Sequence, residues 1–142
     1  MNNFRAAKVS IPINTPPSRV WEALTRPDLI QQYLFGTEVI TDWQVGSPII
    51  YRGVWQGKPY EDKGKVLNVV PEKLLVSTFW SSLSGLPDTP ENYKTVQYEL
   101  SRTGATTNLT VSQDNNDSEE EVQHSEQNWK MVLDGIKKLL ES

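Results

Sequence analysis

The chain has 142 residues, of which 37% are hydrophobic and 23% are charged, so it is long enough to bury a globular core. It carries 14 basic and 18 acidic residues. The net charge of −4, without a basic stripe, disfavours nucleic acid or an anionic membrane as the main partner. With no cysteine, the chain has neither a disulfide frame nor a thiol nucleophile. The N-terminus lacks an apolar run long enough for a signal peptide or a membrane span. We therefore expect one cytoplasmic domain over residues 1–142, with no membrane span.

The N-terminal part predicts one strand followed by two short helices. Loose alternation over residues 4–13 is typical of a strand. Residues 14–17 read Asn-Thr-Pro-Pro, a helix-start signal with proline in the first turn. Pro27 interrupts this helix and opens a second one, which carries Tyr33 and ends at Gly36.

Short apolar runs separated by glycine and proline predict six further strands, connected as an antiparallel series. They are expected over residues 38–43, 49–55, 60–70, 74–80, 93–100 and 106–113. Residues 81–92, which contain prolines, serines and a glycine, form the longest loop. Loops of this length and composition are often functional, so we expect it to act as a mobile gate.

The last helix is predicted over residues 118–141, with Asp117 or Ser118 as its N-cap. Its apolar residues recur at helical three-and-four spacing: Val122, Trp129, Val132, Leu133, Ile136, Leu139 and Leu140. A stripe of this length must be buried against the concave side of the sheet, because no other element is long enough to cover it. The sequence thus predicts an α+β fold in which a curved antiparallel sheet wraps around a long C-terminal helix and can enclose a cavity.

Two residues of this helix carry specific expectations. Trp129 lies in the middle of the stripe, so we expect it to anchor the helix in the interior. Trp129→Ala should then cost roughly 3–5 kcal/mol. Gly135 costs about 1 kcal/mol relative to alanine inside a helix. It indicates close approach of a strand, a gap over the cavity, or simply a tolerated surface glycine.

The residues that carry chemistry are few. The single histidine, His124, falls near the polar start of the last helix and off the apolar stripe, which is typical of an exposed histidine. No HxxxH or CxxC spacing and no glycine-rich phosphate loop occurs, so we expect no metal, no cofactor and no catalytic residues. Glu61 and Asp62 could form a carboxylate pair, but adjacent strand residues point to opposite faces. A solvated strand start is the preferred interpretation.

Aromatic residues are the most suggestive candidates, because they fall at alternating strand positions. Tyr51 and Trp55 share one strand face, as do Phe79 and Tyr98 with apolar neighbours on their own strands. Two interpretations stay open: ordinary core packing, or a cavity whose hydroxyl and indole groups provide a few polar contacts within apolar walls. Arg52 should point to the opposite, solvated face. The candidate cavity-lining residues for ligand binding are Tyr33, Tyr51, Trp55, Phe79, Tyr98 and Trp129.

The element order and several motifs resemble the START-like (SRPBCC) superfamily, and within it the activator of heat shock protein 90 ATPase-like family. The resemblance covers nearly the whole chain and is carried by PSRVWEALT at residues 17–25, DWQVGSPI at 42–49, WQGK at 55–58, YEDKG at 60–64, WSSLSG at 80–85, NWKMVL at 128–133 and LLE at 139–141. It implies the helix-grip fold. The eukaryotic co-chaperones of this family carry a second, N-terminal domain for which this chain has no room. It therefore looks like the small bacterial members, whose physiological roles are unassigned.

Three functions follow as hypotheses. The first is non-enzymatic binding of a small hydrophobic or amphipathic ligand, such as a lipid, between the sheet and the last helix. The second, implied by the resemblance alone, is a co-chaperone-like interaction domain that stimulates a heat shock protein 90 ATPase. The third is a cyclase-type enzyme, for which Tyr51, Tyr98 and His124 are the available proton carriers.

Overall fold

Seven antiparallel strands and three α-helices form the part of the chain that the computed structural model describes, which is residues 5–82, 84–116 and 118–141. The side chains of Arg5 and Trp55 lie outside this description, as does Asp117, one of the two predicted caps. In chain order the elements are β1 (Arg5–Ile13), α1 (Pro17–Thr25), α2 (Pro27–Tyr33), β2 (Glu38–Ile40), β3 (Pro48–Trp55), β4 (Lys58–Val70), β5 (Leu74–Phe79), β6 (Lys94–Thr103), β7 (Thr106–Asn116) and α3 (Glu119–Glu141).

The sheet has the order β1-β7-β6-β5-β4-β3-β2, so the first strand pairs with the last and strands β2 to β7 are each paired with the next. The pairing register shifts between Arg5 and Ala7 in β1 and between Val66 and Asn68 in β4. Such bulges bend a strand and increase its twist, which helps the sheet to curve around α3. The predicted α+β helix-grip fold is confirmed.

Strand β2 is shorter than predicted, because the chain turns after Ile40. The Asp42 carboxylate accepts a hydrogen bond from the backbone N–H of Gln44 at 2.9 Å, and Trp43 has φ +58°. A residue whose backbone lies in this left-handed region cannot continue a strand. The Trp43 indole instead donates to the carbonyl of Thr25 at 2.7 Å and fastens the end of α1.

Helix α3 begins as the sequence predicts. The Ser118 hydroxyl accepts a hydrogen bond from the N–H of Glu121 at 3.1 Å, the bond expected of an N-cap residue. Apolar residues of its inner face join the main core, which is made of Ile13, Val20, Ala23, Leu24, Ile30, Tyr33, Val39, Ile49, Val66, Leu75, Val96, Leu100, Leu109, Val111, Val132, Leu133, Ile136 and Leu140. Trp129 is only partly buried against this core. No helix among the described residues is long and apolar enough to cross a bilayer.

Gly135 marks a close approach, although its neighbour is a helix and not a strand. A methyl group added at Gly135 would lie 3.3 Å from the Cβ of Tyr33, the last residue of α2. The absence of a side chain therefore lets α2 pack tightly against α3, and this contact positions the end of α2 beside the sheet.

Candidate functional site

A cavity of about 310 Å³ lies between the concave face of the sheet, the end of α2 and the first half of α3. We call it the inner cavity. It is lined by Leu34, Phe35, Thr37, Tyr51, Val54, Tyr60, Asp62, Ser77, Phe79, Val96, Tyr98, Gln113 and Trp129. Strand alternation explains why Ser77 and Phe79 of β5 face it together, as do Val96 and Tyr98 of β6. Apolar and aromatic side chains thus dominate walls that contain a few polar groups.

The aromatic rings in these walls pack edge to face. Tyr51 and Phe79 have ring centroids 5.4 Å apart at an interplanar angle of 72°. Tyr98 and Trp129 are 5.9 Å apart at 85°. Edge-to-face pairs stabilise such rings beyond simple burial. The fold brings together four of the six residues predicted to line a cavity.

The structure does not place the other two candidates, Tyr33 and Trp55, among the described residues that line the inner cavity. Tyr33 is buried, and its hydroxyl donates to the carbonyl of Ala23 at 2.7 Å, which ties α2 to α1. Tyr33 is not among the residues that line the inner cavity. Trp55 ends β3, but its side chain lies outside the described part of the structure. A role in ligand binding stays a prediction, and four of the six residues line the inner cavity.

Two tyrosine hydroxyls of the inner cavity, those of Tyr51 and Tyr98, are neutral near physiological pH. Burial raises the pKa of Tyr51 to about 12; a hydrogen bond with Ser77 opposes this shift and the nearby charge of Asp62 adds to it. Burial, together with the proximity of Tyr51, also raises the pKa of Tyr98. Both hydroxyls can therefore donate or accept a hydrogen bond, and neither is suited to act as a base at neutral pH.

Asp62 is the polar residue of this site that the sequence interpretation missed. Glu61 is exposed and forms an ion pair with Arg52 at 2.9 Å on the outer face of the sheet. Asp62 faces inward, is 8% exposed and lines the cavity. The prediction of opposite faces is confirmed, but that of a solvated strand start is wrong for Asp62. Its Oδ1 accepts hydrogen bonds from Ser82, from the N–H at 2.8 Å and from the hydroxyl at 3.0 Å, and these bonds offset the cost of burial.

A second, more polar cavity of about 590 Å³ adjoins the first, and we call it the outer cavity. Its walls include Leu34, Ser84, Leu86, Glu91, Asn92, Lys94, Gln113, Asn115, Asn116, Glu121, His124, Ser125, Asn128, Trp129 and Val132. Leu34, Gln113 and Trp129 line both cavities. The Trp129 indole donates to the Gln113 side-chain oxygen at 3.0 Å. This pair forms part of a common wall between an apolar space and a polar one.

The proton carriers considered for a cyclase are not assembled in one place. His124 is exposed and lines the outer cavity, whereas Tyr51 and Tyr98 line the inner one. Among the described residues, no group of three or more histidine, cysteine, aspartate or glutamate side chains could hold a metal ion. The arrangement can bind a molecule by apolar contact and hydrogen bonding.

The predicted gate, residues 81–92, is attached to the sheet by polar contacts on its described residues. Asp88 pairs with Lys63 of β4 and accepts a hydrogen bond from the Tyr93 hydroxyl at 2.6 Å. The Trp80 indole donates to the carbonyl of Leu86 at 3.3 Å. A turn of 3-10 helix, Pro90–Asn92, ends the loop. Movement of this loop stays a prediction.

Comparison with known proteins identifies the family to which the chain is similar. The sequence profile described as Activator of Hsp90 ATPase homolog 1-like protein matches residues 14–141. The solution structure of ChR145 from Cytophaga hutchinsonii is 44% identical, with a TM-score of 0.88 over 99% of this chain and 97% of that one. Comparison with curated proteins finds no match.

More distant structures share the fold alone. The crystal structure of MLL2253 from Mesorhizobium loti is 24% identical, with a TM-score of 0.77 over 96% of this chain and 97% of that one. DynU16, a protein of the dynemicin biosynthetic locus, is 21% identical with a TM-score of 0.79. The match covers 96% of this chain and 47% of DynU16, so this chain corresponds to about half of that protein.

Proposed function

We propose that this chain, which belongs to the family of Activator of Hsp90 ATPase homolog 1-like proteins, binds a small hydrophobic or amphipathic molecule in the inner cavity. The observation that carries the proposal is the cavity itself, about 310 Å³ within walls that are mostly apolar and aromatic. Ligand pockets typically span roughly 300–1,000 Å³ and combine apolar walls with a few placed polar groups. The protein would act without metal or cofactor, as one domain in the cytoplasm.

Packing supports a binding role over an ordinary core. Protein interiors contain few voids larger than a water molecule, because each void forfeits contacts among the side chains around it. The core beside this cavity is shielded from solvent, since Leu75, Leu109 and Leu133 are 2%, 0% and 0% exposed. A space retained beside six aromatic side chains is what a ligand of matching shape would fill.

The proposal is tested by blocking the cavity. Val96 is 6% exposed and lines the inner cavity, so Val96→Phe places a ring inside it. Val45 is 65% exposed in the turn before β3, so Val45→Phe makes the same chemical change away from the cavity. Native mass spectrometry of protein purified from its own host should show a bound small molecule in the parent and in the Val45 variant, and less of it in the Val96 variant.

Thermal shift measurements with lipids and other apolar compounds provide the second readout. A ligand that binds only the folded state raises the melting temperature by mass action. Overpacking can itself cost about 1–3 kcal/mol, so each variant is compared with its own ligand-free melting temperature. Equal shifts in the parent and the Val96 variant would place binding elsewhere, and no shift with any compound class would contradict the proposal.

The family name supports a second candidate, a protein-interaction domain that stimulates a heat shock protein 90 ATPase. Leu86, 47% exposed in the loop before β6, is one apolar contact that such a partner could use. The expected result is a faster ATPase rate of the host's homologue when this protein is added, and a smaller increase with Leu86→Ser. An unchanged rate together with no co-purification would eliminate this candidate.

A further inference from the structure

The inner cavity has an acidic residue, Asp62, in its wall. None of the other described residues that line this cavity is an aspartate, glutamate, lysine, arginine or histidine. Asp62 is 8% exposed, and two cations beside it in the β3–β4 pair, Lys63 next to it in β4 and Arg52 next to its register partner Tyr51, are engaged elsewhere. Arg52 pairs with Glu61, and Lys63 pairs with Asp88. The walls therefore present one acidic group to an occupant.

The two oxygens of Asp62 have different surroundings. Oδ1 accepts both hydrogen bonds from Ser82, whereas no described group donates to Oδ2. No fully buried side-chain oxygen or nitrogen in the described part of the chain lacks a hydrogen-bond partner. Oδ2 must therefore be accessible from an open space. Asp62 is nearly buried and lines the inner cavity, so this cavity is the space that we assign to Oδ2.

A carboxylate accepts up to about four hydrogen bonds, and burial without them is costly. Ser82 provides two, both to one oxygen. A ligand that donates a hydrogen bond to the second oxygen gains a charge-assisted bond, which is stronger than a neutral one. A ligand that ends in a carboxylate instead meets a like charge at this wall.

We infer that the inner cavity selects apolar molecules that carry a hydrogen-bond donor, a hydroxyl or an ammonium group, placed against Asp62 Oδ2, and that it rejects their carboxylate counterparts. This inference rests on the proposed function and narrows its ligand class. It separates Asp62 from Glu61, which has the same charge one residue away on the opposite face.

The test uses four probes that share one aromatic body: methylnaphthalene, naphthylmethanol, naphthylmethylammonium and naphthoate. Isothermal titration calorimetry with the full chain should show naphthylmethanol and naphthylmethylammonium binding more tightly than methylnaphthalene, and naphthoate more weakly. A hydrogen bond to a charged group contributes enough for a difference of roughly tenfold or more in Kd. The order of the alcohol and the ammonium then tells whether the wall prefers a neutral or a charged donor.

Asp62→Asn provides the decisive variant. Its amide oxygen can keep the two bonds from Ser82, while its NH2 group replaces Oδ2 and turns an acceptor into a donor. We expect naphthylmethylammonium to lose roughly tenfold in affinity and naphthoate to gain. Methylnaphthalene should bind as before, which shows that the variant is folded and that its cavity is intact.

Glu61→Gln is the matched control, because it removes the same charge from the outer face. It should leave the order of the four probes unchanged. Equal binding of all four probes by the parent chain, or equal effects of the two variants, would overturn the inference and leave the proposed cavity intact. Failure of all four probes, including methylnaphthalene, would contradict the proposed function itself.

Discussion

The two ends of α3 face the same sheet, yet one end closes a core and the other borders two cavities. Toward its C-terminus, Leu133 and Ile136 are both fully buried. Toward its N-terminus, Ser125 and Trp129 line the outer cavity, and Trp129 also lines the inner one. One amphipathic helix thus performs two tasks along its length.

The difference lies in the residues that meet the helix. At the closed end the branched side chains of Ile13 and Leu109 belong to the same buried core cluster as Leu133 and Ile136. At the open end Ser77 and Gln113 occupy the walls, and the indole of Trp129 is held by a hydrogen bond to Gln113 instead of by complete packing. The contrast teaches that a cavity in this fold arises where small and polar residues interrupt an otherwise apolar interface, without any change in backbone architecture.

The largest expected effect is at the closed end. Leu133 is 0% exposed, so Leu133→Ala leaves a cavity in close-packed surroundings and should lower the free energy of unfolding by about 2–5 kcal/mol. Met131, 54% exposed on the same helix, provides the control Met131→Ala, which should change stability by less than about 0.5 kcal/mol. Urea denaturation of both variants checks this, and equal costs would mean that the helix face is assigned wrongly.

A smaller effect is expected at the open end. Trp129 is only partly buried and adjoins empty space, so Trp129→Ala should cost about 2 kcal/mol, less than the ~3–5 kcal/mol expected for a fully buried tryptophan. The structure thereby lowers the loss of stability expected for Trp129→Ala from the sequence alone. Trp129→Phe keeps an aromatic ring and loses the bond to Gln113, so it should retain the fold and alter ligand affinity.

Chemical denaturation and titration of a bound ligand measure these two properties separately. A cost for Trp129→Ala as large as that for Leu133→Ala would remove the proposed distinction between the two ends. Unaltered ligand affinity in Trp129→Phe would show that this wall does not contact the ligand.

The closed end should also show a dependence on pH. Hydrogen bonds from the N–H of Asn14 and from Lys137, each 2.8 Å, hold the pKa of Glu141 below its ordinary value of 4.5. A carboxylate with a lowered pKa in the folded state stabilises the fold above about pH 4.5 and loses this contribution as the pH falls through the lower folded-state pKa.

Glu141→Gln should therefore be less stable than the parent chain at pH 7, and the difference should close progressively as the pH falls below about 4.5. Unfolding free energies measured across this range provide the check. Glu38→Gln, at an exposed residue of β2, controls for the loss of one charge. A constant difference between parent and Glu141→Gln at every pH would contradict the assigned role.

The smallest effect is expected where α2 meets α3. Gly135→Ala gains about 1 kcal/mol of helix propensity, but its methyl group would lie 3.3 Å from the Tyr33 Cβ and force a small adjustment. The two effects oppose each other, so the net change should remain within about 1 kcal/mol. Gly135→Leu adds bulk at the same contact and should be clearly destabilising by thermal denaturation. Tolerance of leucine would show that the close approach has no structural importance.

Much of the fold could be predicted because its signals are local. The period of the apolar residues in α3 identified the buried face, and Ser118 identified where the helix begins. Alternation placed Tyr51 and Phe79 on inward faces and sent Arg52 outward. The same alternation could have identified Gln113, which continues the inward face of Leu109 and Val111 in β7.

What the sequence by itself determined was therefore which residues share a face; only the tertiary structure decided what fills the space between the faces. Alternation separated Glu61 from Asp62, but burial of Asp62 depends on Ser82, twenty residues away in a loop whose path no local pattern specifies. Tyr33 likewise became a core residue because its hydroxyl reaches the Ala23 carbonyl. Periodicity is a property of neighbours in the chain, whereas a cavity and its hydrogen bonds depend on the distances between elements that meet only when the sheet curves around α3.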